Sequence, residues 1–343
     1  MGWETVLYAS TVWPLHGSEL GMQRLKVFLT GATGTLGRNL LDQVRLHDIE
    51  VVAAVRSAGH NLPIHERVRH VPCDFANADA IRRVLTDEQP HWVIHAAVQG
   101  VRPPRPSLQE LVDFNVNASL RLFEQTMNLA DCRFLFVSSG LAYRDQGRRL
   151  CESDPLQSQH VYGATKAAAD LLLQAAAVQA NRPLTIVRPF SFSGPHERPG
   201  GLIYSLLDAT AKRTPLHLTS GQQVRDYCAV QDVADGILSC LRRKPEKLVE
   251  IWNLGSGQAT SLRDLLKNLC ATLALDVDLK WGEKPLPAGE PTYLVGDCSR
   301  AREDLGWQPR RALAESVWEL ASVSFPSLSL TRPGGFDHAR RAA

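Results

Sequence analysis

The sequence predicts an α/β protein in which a doubly wound parallel sheet is followed by a smaller, mixed lobe. Short apolar runs alternate with helical patterns through the first half of the 343-residue chain, and this alternation is typical of parallel sheets covered by helices on both faces. The first apolar run ends in a glycine-rich turn that opens a helix, within residues 25–38. The 44% hydrophobic and 22% charged residues are typical of a globular protein.

Six apolar runs predict buried strands, and the segments between them show helical spacing of their apolar residues. The predicted strands are 25–29, 51–55, 68–71, 92–95, 133–137 and 184–187. The predicted helices of the first half are 36–44, 78–85, 108–129 and 161–180. In the second half, helices are predicted at 201–213, 233–241, 262–273 and 299–305, with Asp232 capping the second of these.

Three glycines at intervals of three residues, Gly31, Gly34 and Gly37, occupy the turn between the first strand and the first helix. A strand, a glycine-rich turn and a helix N-terminus together predict a Rossmann-type site for the pyrophosphate of a dinucleotide. The backbone N–H groups and the helix dipole would face this anion. An ordinary strand-to-helix turn is the alternative, against which the flanking elements argue. The other turn residues predicted to contact the cofactor are Thr33, Thr35 and Leu36.

The ends of the next three strands supply further candidate cofactor contacts. Arg56 follows the second strand, where a cation pairs with a 2′-phosphate, so NADP is preferred and NAD stays possible. A solvated surface arginine is the alternative. Asp74 and Phe75 follow the third strand and are predicted to contact the adenine, or Asp74 caps a helix. The small residues Ala96 and Ala97 follow the fourth strand and leave room for the cofactor; His95 before them is predicted to be a packed histidine.

The composition excludes several other classes of protein. A formal net charge of +2 gives no electrostatic argument for nucleic acid or an anionic membrane as partner, and no apolar run approaches the length of a transmembrane helix. The seven cysteines are scattered and odd in number, which argues against a disulfide framework and a zinc site. We therefore expect a cytoplasmic protein without a metal.

Three side chains form the predicted catalytic group. Ser139 follows the fifth strand, at the edge where open α/β sheets place their ligands. Tyr162 and Lys166 are four residues apart and therefore share one face of the following helix. A nearby ammonium favours the phenolate form of a tyrosine. Such a pair moves the proton of an alcohol while a nicotinamide carries the hydride.

These motifs resemble those of the extended short-chain dehydrogenase/reductase family, most closely its nucleotide-sugar epimerase, dehydratase and ketoreductase branch. The resemblance rests on Gly31-x-x-Gly34-x-x-Gly37, Ser138-Ser139 and Tyr162-x-x-x-Lys166, and it covers about residues 24–325. It implies that Tyr162 is the acid/base and that Lys166 binds the nicotinamide ribose and tunes the tyrosine. Ser139 would orient the sugar hydroxyl or ketone.

The resemblance also implies roles for residues elsewhere in the chain. Asn115 lies behind the active-site lysine, and Pro189 begins a loop along the nicotinamide. Gly140 and Ser191 contact the substrate. Arg225 anchors the diphosphate of a nucleoside-diphosphate sugar, since a guanidinium matches phosphate oxygens; the alternative is a salt bridge with the neighbouring Asp226.

The residue pattern and the resemblance together predict the domains and the assembly. We expect a disordered N-terminal extension at 1–22, an NAD(P)-binding domain at 23–189, a mostly substrate-binding lobe at 190–325 and a flexible tail at 326–343. Strands of the lobe would return to the Rossmann sheet. A homodimer through the helices at 108–129 and 161–180 is implied.

The residues that follow the serine limit the reaction. The 4,6-dehydratases of this family carry an Asp-Glu pair where this chain has Gly140-Leu141, which offer no acid or base. Dehydration is therefore not expected. Because the preference for NADP favours net reduction, the first expectation is NADPH-dependent 4-ketoreduction of a nucleoside-diphosphate 4-keto-6-deoxyhexose. The alternatives are a nucleotide-sugar 4-epimerase with tightly bound NAD, a reductase of a ketone without a nucleotide, and a non-catalytic dinucleotide-binding sensor or assembly factor.

Overall fold

The structure is a computed structural model that describes residues 24–44, 47–56, 66–101 and 106–333. The predicted extension at 1–22 and residues 334–343 of the predicted tail lie outside the described residues. Within the described ranges, no helix is long and apolar enough to cross a membrane.

Fourteen strands are formed in the described ranges, and six of them match the predicted apolar runs closely. They are β1 (Leu25–Thr30), β2 (Ile49–Val55), β3 (Val68–Pro72), β4 (Trp92–His95), β5 (Arg133–Val137), β6 (Leu184–Pro189), β7 (Ser191–Ser193), β8 (Leu216–His217), β9 (Val224–Arg225), β10 (Tyr227–Ala229), β11 (Val249–Leu254), β12 (Thr260–Ser261), β13 (Leu279–Lys280) and β14 (Tyr293–Leu294).

Ten α-helices alternate with these strands in the described ranges. They are α1 (Thr35–Val44), α2 (Ala78–Glu88), α3 (Leu108–Val112), α4 (Ala118–Thr126), α5 (Val161–Ala180), α6 (Leu202–Lys212), α7 (Val230–Arg242), α8 (Leu262–Leu273), α9 (Ser299–Leu305) and α10 (Leu313–Ser324).

A seven-stranded parallel sheet in the order β11-β6-β5-β4-β1-β2-β3 confirms the predicted Rossmann-type fold. One face packs against α1, α7 and α9 around Leu40, Ile237 and Ala301. The other face packs against α2, α4 and α5 around Ile81, Leu122 and Leu173. Because the chain order reverses between β1 and β4, their carboxyl ends open a crevice at which such sheets bind ligands.

The smaller lobe has its own core, which is built by α6, α8 and α10. Leu206, Leu266 and Leu320 are fully buried at its centre. Residues 326–333 of the predicted flexible tail continue this packing, because Leu328 and Leu330 lie partly buried against the same core. β11 returns from this half of the chain to the main sheet, beside β6.

Two local expectations differ from the structure. The predicted helix at 108–129 ends at Thr126 and is interrupted by a π-helical turn, Asp113–Asn117. The predicted cap at Asp232 is wrong, because α7 begins at Val230. The Asp232 carboxylate is buried and accepts bonds from Arg310 N–H (3.0 Å) and from the backbone N–H of Arg311 (2.9 Å), so it fixes the segment before α10 instead.

Replacing Asp232 by alanine should lower the free energy of unfolding by about 3 kcal/mol, because two backbone N–H groups and the Arg311 guanidinium lose their buried acceptor. Denaturant unfolding followed by circular dichroism measures this loss. Asp208→Ala, which removes an exposed pair with Lys212 on α6, is the matched control and should change stability by less than about 0.5 kcal/mol. Equal losses in the two variants would contradict the structural role of Asp232.

Candidate active site

A cavity of about 670 Å³ lies at the crevice between the sheet and the smaller lobe. It is lined by the glycine-rich turn, the ends of β4, β5 and β6, and the segment between β7 and α6. The predicted site residues that line it are Gly31, Gly34, Thr35, Leu36, Gly37, Ala96, Ser139, Tyr162, Lys166, Pro189 and Ser191. The structure therefore brings the predicted phosphate turn and the predicted catalytic group to one cavity.

The glycine-rich turn is closed by backbone contacts that exclude larger residues. Gly31 has a φ of +73°, and a Cβ there would lie 2.6 Å from the backbone of Ala96 and Ala97. A Cβ on Gly37 would lie 2.2 Å from the Gly31 carbonyl oxygen. The side of the cavity that the glycine-rich turn forms therefore depends on glycine at both positions. A dinucleotide fits this arrangement, because the turn leaves its backbone open at the N-terminus of α1.

The segment after β7 crosses the same turn from the lobe side. Asn39 of α1 donates to the Pro195 carbonyl at 2.8 Å, and the Thr35 hydroxyl donates to the His196 carbonyl at 3.2 Å. The His196 ring lies 2.7 Å from the Asp42 carboxylate, and Arg198 donates to the Thr33 carbonyl. Thr33 itself is not among the residues that line the cavity.

The predicted catalytic side chains meet at the floor of the cavity. Ser139 follows β5, accepts a hydrogen bond from the Leu141 N–H at 3.1 Å and is hydrogen-bonded to the Tyr162 side chain. Tyr162 and Lys166 lie in the first turns of α5, where their side chains are 8% and 2% exposed. The Lys166 Nζ lies 3.9 Å from the centre of the Phe136 ring. A hydroxyl, a phenol and an amine thus line the same cavity.

Burial dominates the ionisation of both groups on α5. It lowers the pKa of Lys166 to about 7, against the opposing effect of the Asp170 carboxylate. It raises the pKa of Tyr162 to about 12, while the Ser139 hydrogen bond acts in the opposite direction. The expected lowering of the pKa of Tyr162 by a nearby ammonium is therefore not met, because desolvation disfavours the charged phenolate.

Asn115 is hydrogen-bonded to α5, the helix that carries Tyr162 and Lys166. Its side chain donates to the Thr165 hydroxyl at 2.9 Å, accepts from the Gln99 N–H at 2.9 Å and donates to the Gln99 carbonyl at 3.0 Å. The π-helical turn Asp113–Asn117 carries Asn115 and places its amide between α5 and the backbone of Gln99. π-helical turns are frequent at functional sites. Periodicity does not reveal such a turn, so the sequence predicts a continuous helix here.

Several predicted cofactor contacts lie away from this cavity. Arg56 and Asp74 are exposed at the carboxyl ends of β2 and β3, and the Asp74 carboxylate accepts from the Ala76 N–H at 2.9 Å. Asn77, and not Asp74, caps α2. Phe75 is buried, with its ring 6.3 Å from that of His95.

His95 is a packed residue, as expected. It lies 2.7 Å from the Thr30 hydroxyl and 2.9 Å from the Ser119 hydroxyl, and burial lowers its pKa to about 3. Ala97 lies beneath the glycine-rich turn, where its N–H donates to the Thr30 hydroxyl at 3.1 Å.

Arg225, the predicted substrate anchor, is also not among the residues that line the cavity. It is buried, pairs with Glu290 and donates to the Pro291 carbonyl at 2.7 Å. The alternative pairing with Asp226 is wrong, because that carboxylate accepts from Ser256, Gly257 and Gly296. For Arg225 to contact a diphosphate, its ion pair with Glu290 would have to be exchanged.

Some cavity residues were not predicted to line the site. Glu197 and Arg198 come from the segment that crosses the glycine-rich turn, Tyr227 from β10, and Phe190 from the end of β6. Gly140, predicted as a substrate contact, is buried against the Phe190 ring, since a Cβ there would lie 2.9 Å from that ring. For the part of the cavity lining between β7 and α6, the available sequence signal is its glycine and proline residues. They predict a loop, but they do not predict that the loop crosses the glycine-rich turn.

Comparison with known families identifies the fold and the class of enzyme. The model of the NAD dependent epimerase/dehydratase family matches residues 27–255, more than half of the chain. The chain belongs to this family. It is an NAD(P)-dependent enzyme of the extended short-chain dehydrogenase/reductase type, in the nucleotide-sugar branch.

Individual members of the family are similar over almost their whole length. A UDP-glucose 4-epimerase of Neisseria meningitidis serogroup C is 25% identical, over 91% of this chain and 99% of the relative. A dTDP-L-rhamnose 4-epimerase of Burkholderia thailandensis is 27% identical, over 86% of this chain and 93% of the relative.

Solved structures of this family share the fold. MoeE5 in complex with UDP-glucuronic acid and NAD superposes with a TM-score of 0.79 at 26% identity, over 88% of this chain and 100% of that one. The UDP-glucose 4-epimerase of Thermotoga maritima superposes with the same TM-score of 0.79 at 22% identity, over 89% of this chain and 100% of that one.

Gly37→Ala should abolish dinucleotide binding, because the new Cβ meets the Gly31 carbonyl and the Ala32 backbone and pushes α1 off the turn. Calorimetric titration with NAD and NADP measures the loss. Gly147→Ala is the matched control, since its Cβ meets nothing within 4 Å although its φ is +65°. The control should cost about 1 kcal/mol of stability and leave binding intact. Binding that survives Gly37→Ala would contradict the assignment of the turn.

Proposed function

We propose that the protein is a 4-epimerase of a nucleoside-diphosphate sugar that keeps NAD bound through the reaction. The observation that carries the proposal is the placement of Ser139, Tyr162 and Lys166 in the same cavity as the glycine-rich turn. Gly140 and Leu141 add no acid or base to this group, which disfavours elimination of water. The full-length similarity to two 4-epimerases supports this reaction over net reduction.

The side chains are suited to move one proton at the sugar oxygen. Ser139 would hold the 4-oxygen, and Tyr162 would take the hydroxyl proton in one half-reaction and return it in the other. When bound, the nicotinamide supplies the hydride acceptor and donor. The hydrogen from C4 returns to the opposite face of the resulting ketone, so atoms and electrons balance without a second substrate.

The buried position of Tyr162 has a consequence for its role as a base. A phenol with a pKa near 12 is protonated at neutral pH and serves directly as an acid. Its use as a base requires positive charge in the cavity, which favours the phenolate. Lys166 supplies such a charge in its ammonium form, and its pKa of about 7 makes that form sensitive to pH in the working range.

The second candidate is the NADPH-dependent 4-ketoreductase. Arg56 favours it, since an exposed cation at the end of β2 is placed to meet a 2′-phosphate. NAD in the MoeE5 complex supports the first candidate instead.

We also propose that the protein is a homodimer through α3, α4 and α5. Exposed apolar side chains on α3 and α5 support this assembly, namely Leu108, Val161, Leu171, Leu172 and Val178.

Denaturing the purified protein and identifying the released dinucleotide by mass spectrometry separates the two candidates. The 4-epimerase is expected to release about one NAD per chain and to interconvert UDP-glucose and UDP-galactose, or the corresponding dTDP sugars, without added cofactor. A chain that arrives empty and oxidises added NADPH with a 4-keto sugar would favour the reductase.

Tyr162→Phe should lower turnover by about 10²–10⁴-fold while the bound dinucleotide is retained, because the ring stays and the proton-transferring hydroxyl is lost. Tyr204→Phe in the smaller lobe is the matched control and should keep the wild-type rate, since this ring packs on Phe325. A Tyr162→Phe variant with full turnover would contradict the mechanism and favour a non-catalytic binding protein.

A further inference from the structure

A fully buried ion pair lies directly behind the catalytic helix. The Asp170 side chain on α5 is 0% exposed and the Arg188 side chain on β6 is 2% exposed. Their contact is bidentate, with Arg188 Nε 2.9 Å from Asp170 Oδ2 and Arg188 Nη2 3.0 Å from Asp170 Oδ1. This geometry is strong and directional. A buried pair of charges nevertheless contributes little net stability compared with apolar residues of the same size, so its presence calls for another explanation.

The third nitrogen of the same guanidinium reaches the segment that carries Ser139. Arg188 Nη1 donates to the Tyr143 hydroxyl at 2.8 Å and to the Glu152 carbonyl at 3.0 Å. The Tyr143 hydroxyl donates in turn to Asn253 Oδ1 at 2.7 Å, on β11. Tyr143 follows the 3₁₀ turn that Ser139 caps. Arg188 therefore joins the helix of Tyr162 and Lys166 to the turn of Ser139.

Asp170 also lies one helical turn after Lys166, on the same face of α5. The other titratable groups near Lys166 come from α5, β4 and β6. Tyr162 on α5 and His95 on β4 are neutral at pH 7, because burial moves the pKa of each away from neutrality. Arg188 on β6 pairs with Asp170, and of these two charges it is the carboxylate that acts on the pKa of Lys166. In the described part of the chain, Asp170 is the acidic group that acts on the Lys166 ammonium.

We propose that Asp170 is a positioning residue of the active site, which Arg188 holds in place so that its carboxylate stabilises the ammonium form of Lys166. The assignment rests on the proposed function, since it gives Lys166 a role at the nicotinamide ribose. The Arg188 contact fixes the direction of the carboxylate, and burial preserves its field because water is excluded. A purely structural ion pair would contribute to stability alone and leave the charge of Lys166 unchanged.

The test measures dinucleotide binding as a function of pH in the full-length protein stripped of its cofactor. Calorimetric titrations with NAD between pH 5.5 and 9 should show a step near pH 7 that is absent in Lys166→Met, which assigns it to the lysine. In Asp170→Asn this step should move to lower pH by about one unit, because the group that favours the ammonium is lost. Asp170→Glu should restore the step to its position in the unmodified protein.

Tyr143→Phe is the matched control. It removes another partner of the same guanidinium and keeps the carboxylate, so it should lower stability without moving the step. A step that stays in place in Asp170→Asn, or moves equally in Tyr143→Phe, would overturn the assignment. If the unmodified protein binds no dinucleotide, the proposed function is overturned as well. Failure of the proposed function is therefore distinguished from failure of the role assigned to Asp170.

Asp170→Asn leaves the Arg188 charge buried without its partner, which destabilises the fold, so a second variant keeps the result decisive. Asp170→Asn combined with Arg188→Gln removes both charges and retains neutral hydrogen-bonding groups. The step should lie about one pH unit lower in this double variant too. A double variant that folds and keeps the original step would overturn the assignment.

Discussion

The close approach of the glycine-rich turn to the end of β4 is the constraint on which the rest of the site depends. Gly31 sits so near the backbone of Ala96 and Ala97 that no side chain fits between them. This approach occurs where the sheet reverses its strand order, and it brings the N-terminus of α1 to the edge where β5 delivers Ser139. The predicted phosphate turn and the predicted proton-transferring side chains therefore share one cavity because of how the backbone packs at a single turn.

The chemistry of this cavity is governed by desolvation. Tyr162 and Lys166 are both almost completely buried, so the neutral form of each is favoured before any ligand binds. Charges near Tyr162 and Lys166 then have large effects on the pKa of each group, because little water screens them. We infer that the Asp170 carboxylate, held by Arg188, is one fixed source of such charge, and that bound ligands are the other. This arrangement suits an enzyme whose acid/base group must change its protonation state within one cycle.

Local patterns in the sequence predict the structural features that depend only on residues close together in the chain. The buried strands, the turn at Gly31–Gly37 and the shared helix face of Tyr162 and Lys166 are of this kind, and the structure places each as predicted. Contacts between distant segments carry no local signal. Arg225 pairs with Glu290, 65 residues away, and Asp232 binds the backbone of Arg310, 78 residues away. The desolvation of Tyr162 likewise depends on the packing of the whole cavity wall, which a spacing of four residues does not encode.

The central claim is that the hydrogen removed from the sugar returns to the same sugar within one binding event. Incubating the protein with a nucleoside-diphosphate sugar that carries deuterium at C4, in the presence of excess unlabelled NAD and NADP, tests this claim directly. We expect both epimers to keep the deuterium at C4 and the dinucleotides in solution to stay unlabelled. Deuterium that appears in the free dinucleotide, or a 4-keto sugar that accumulates in its place, would contradict it.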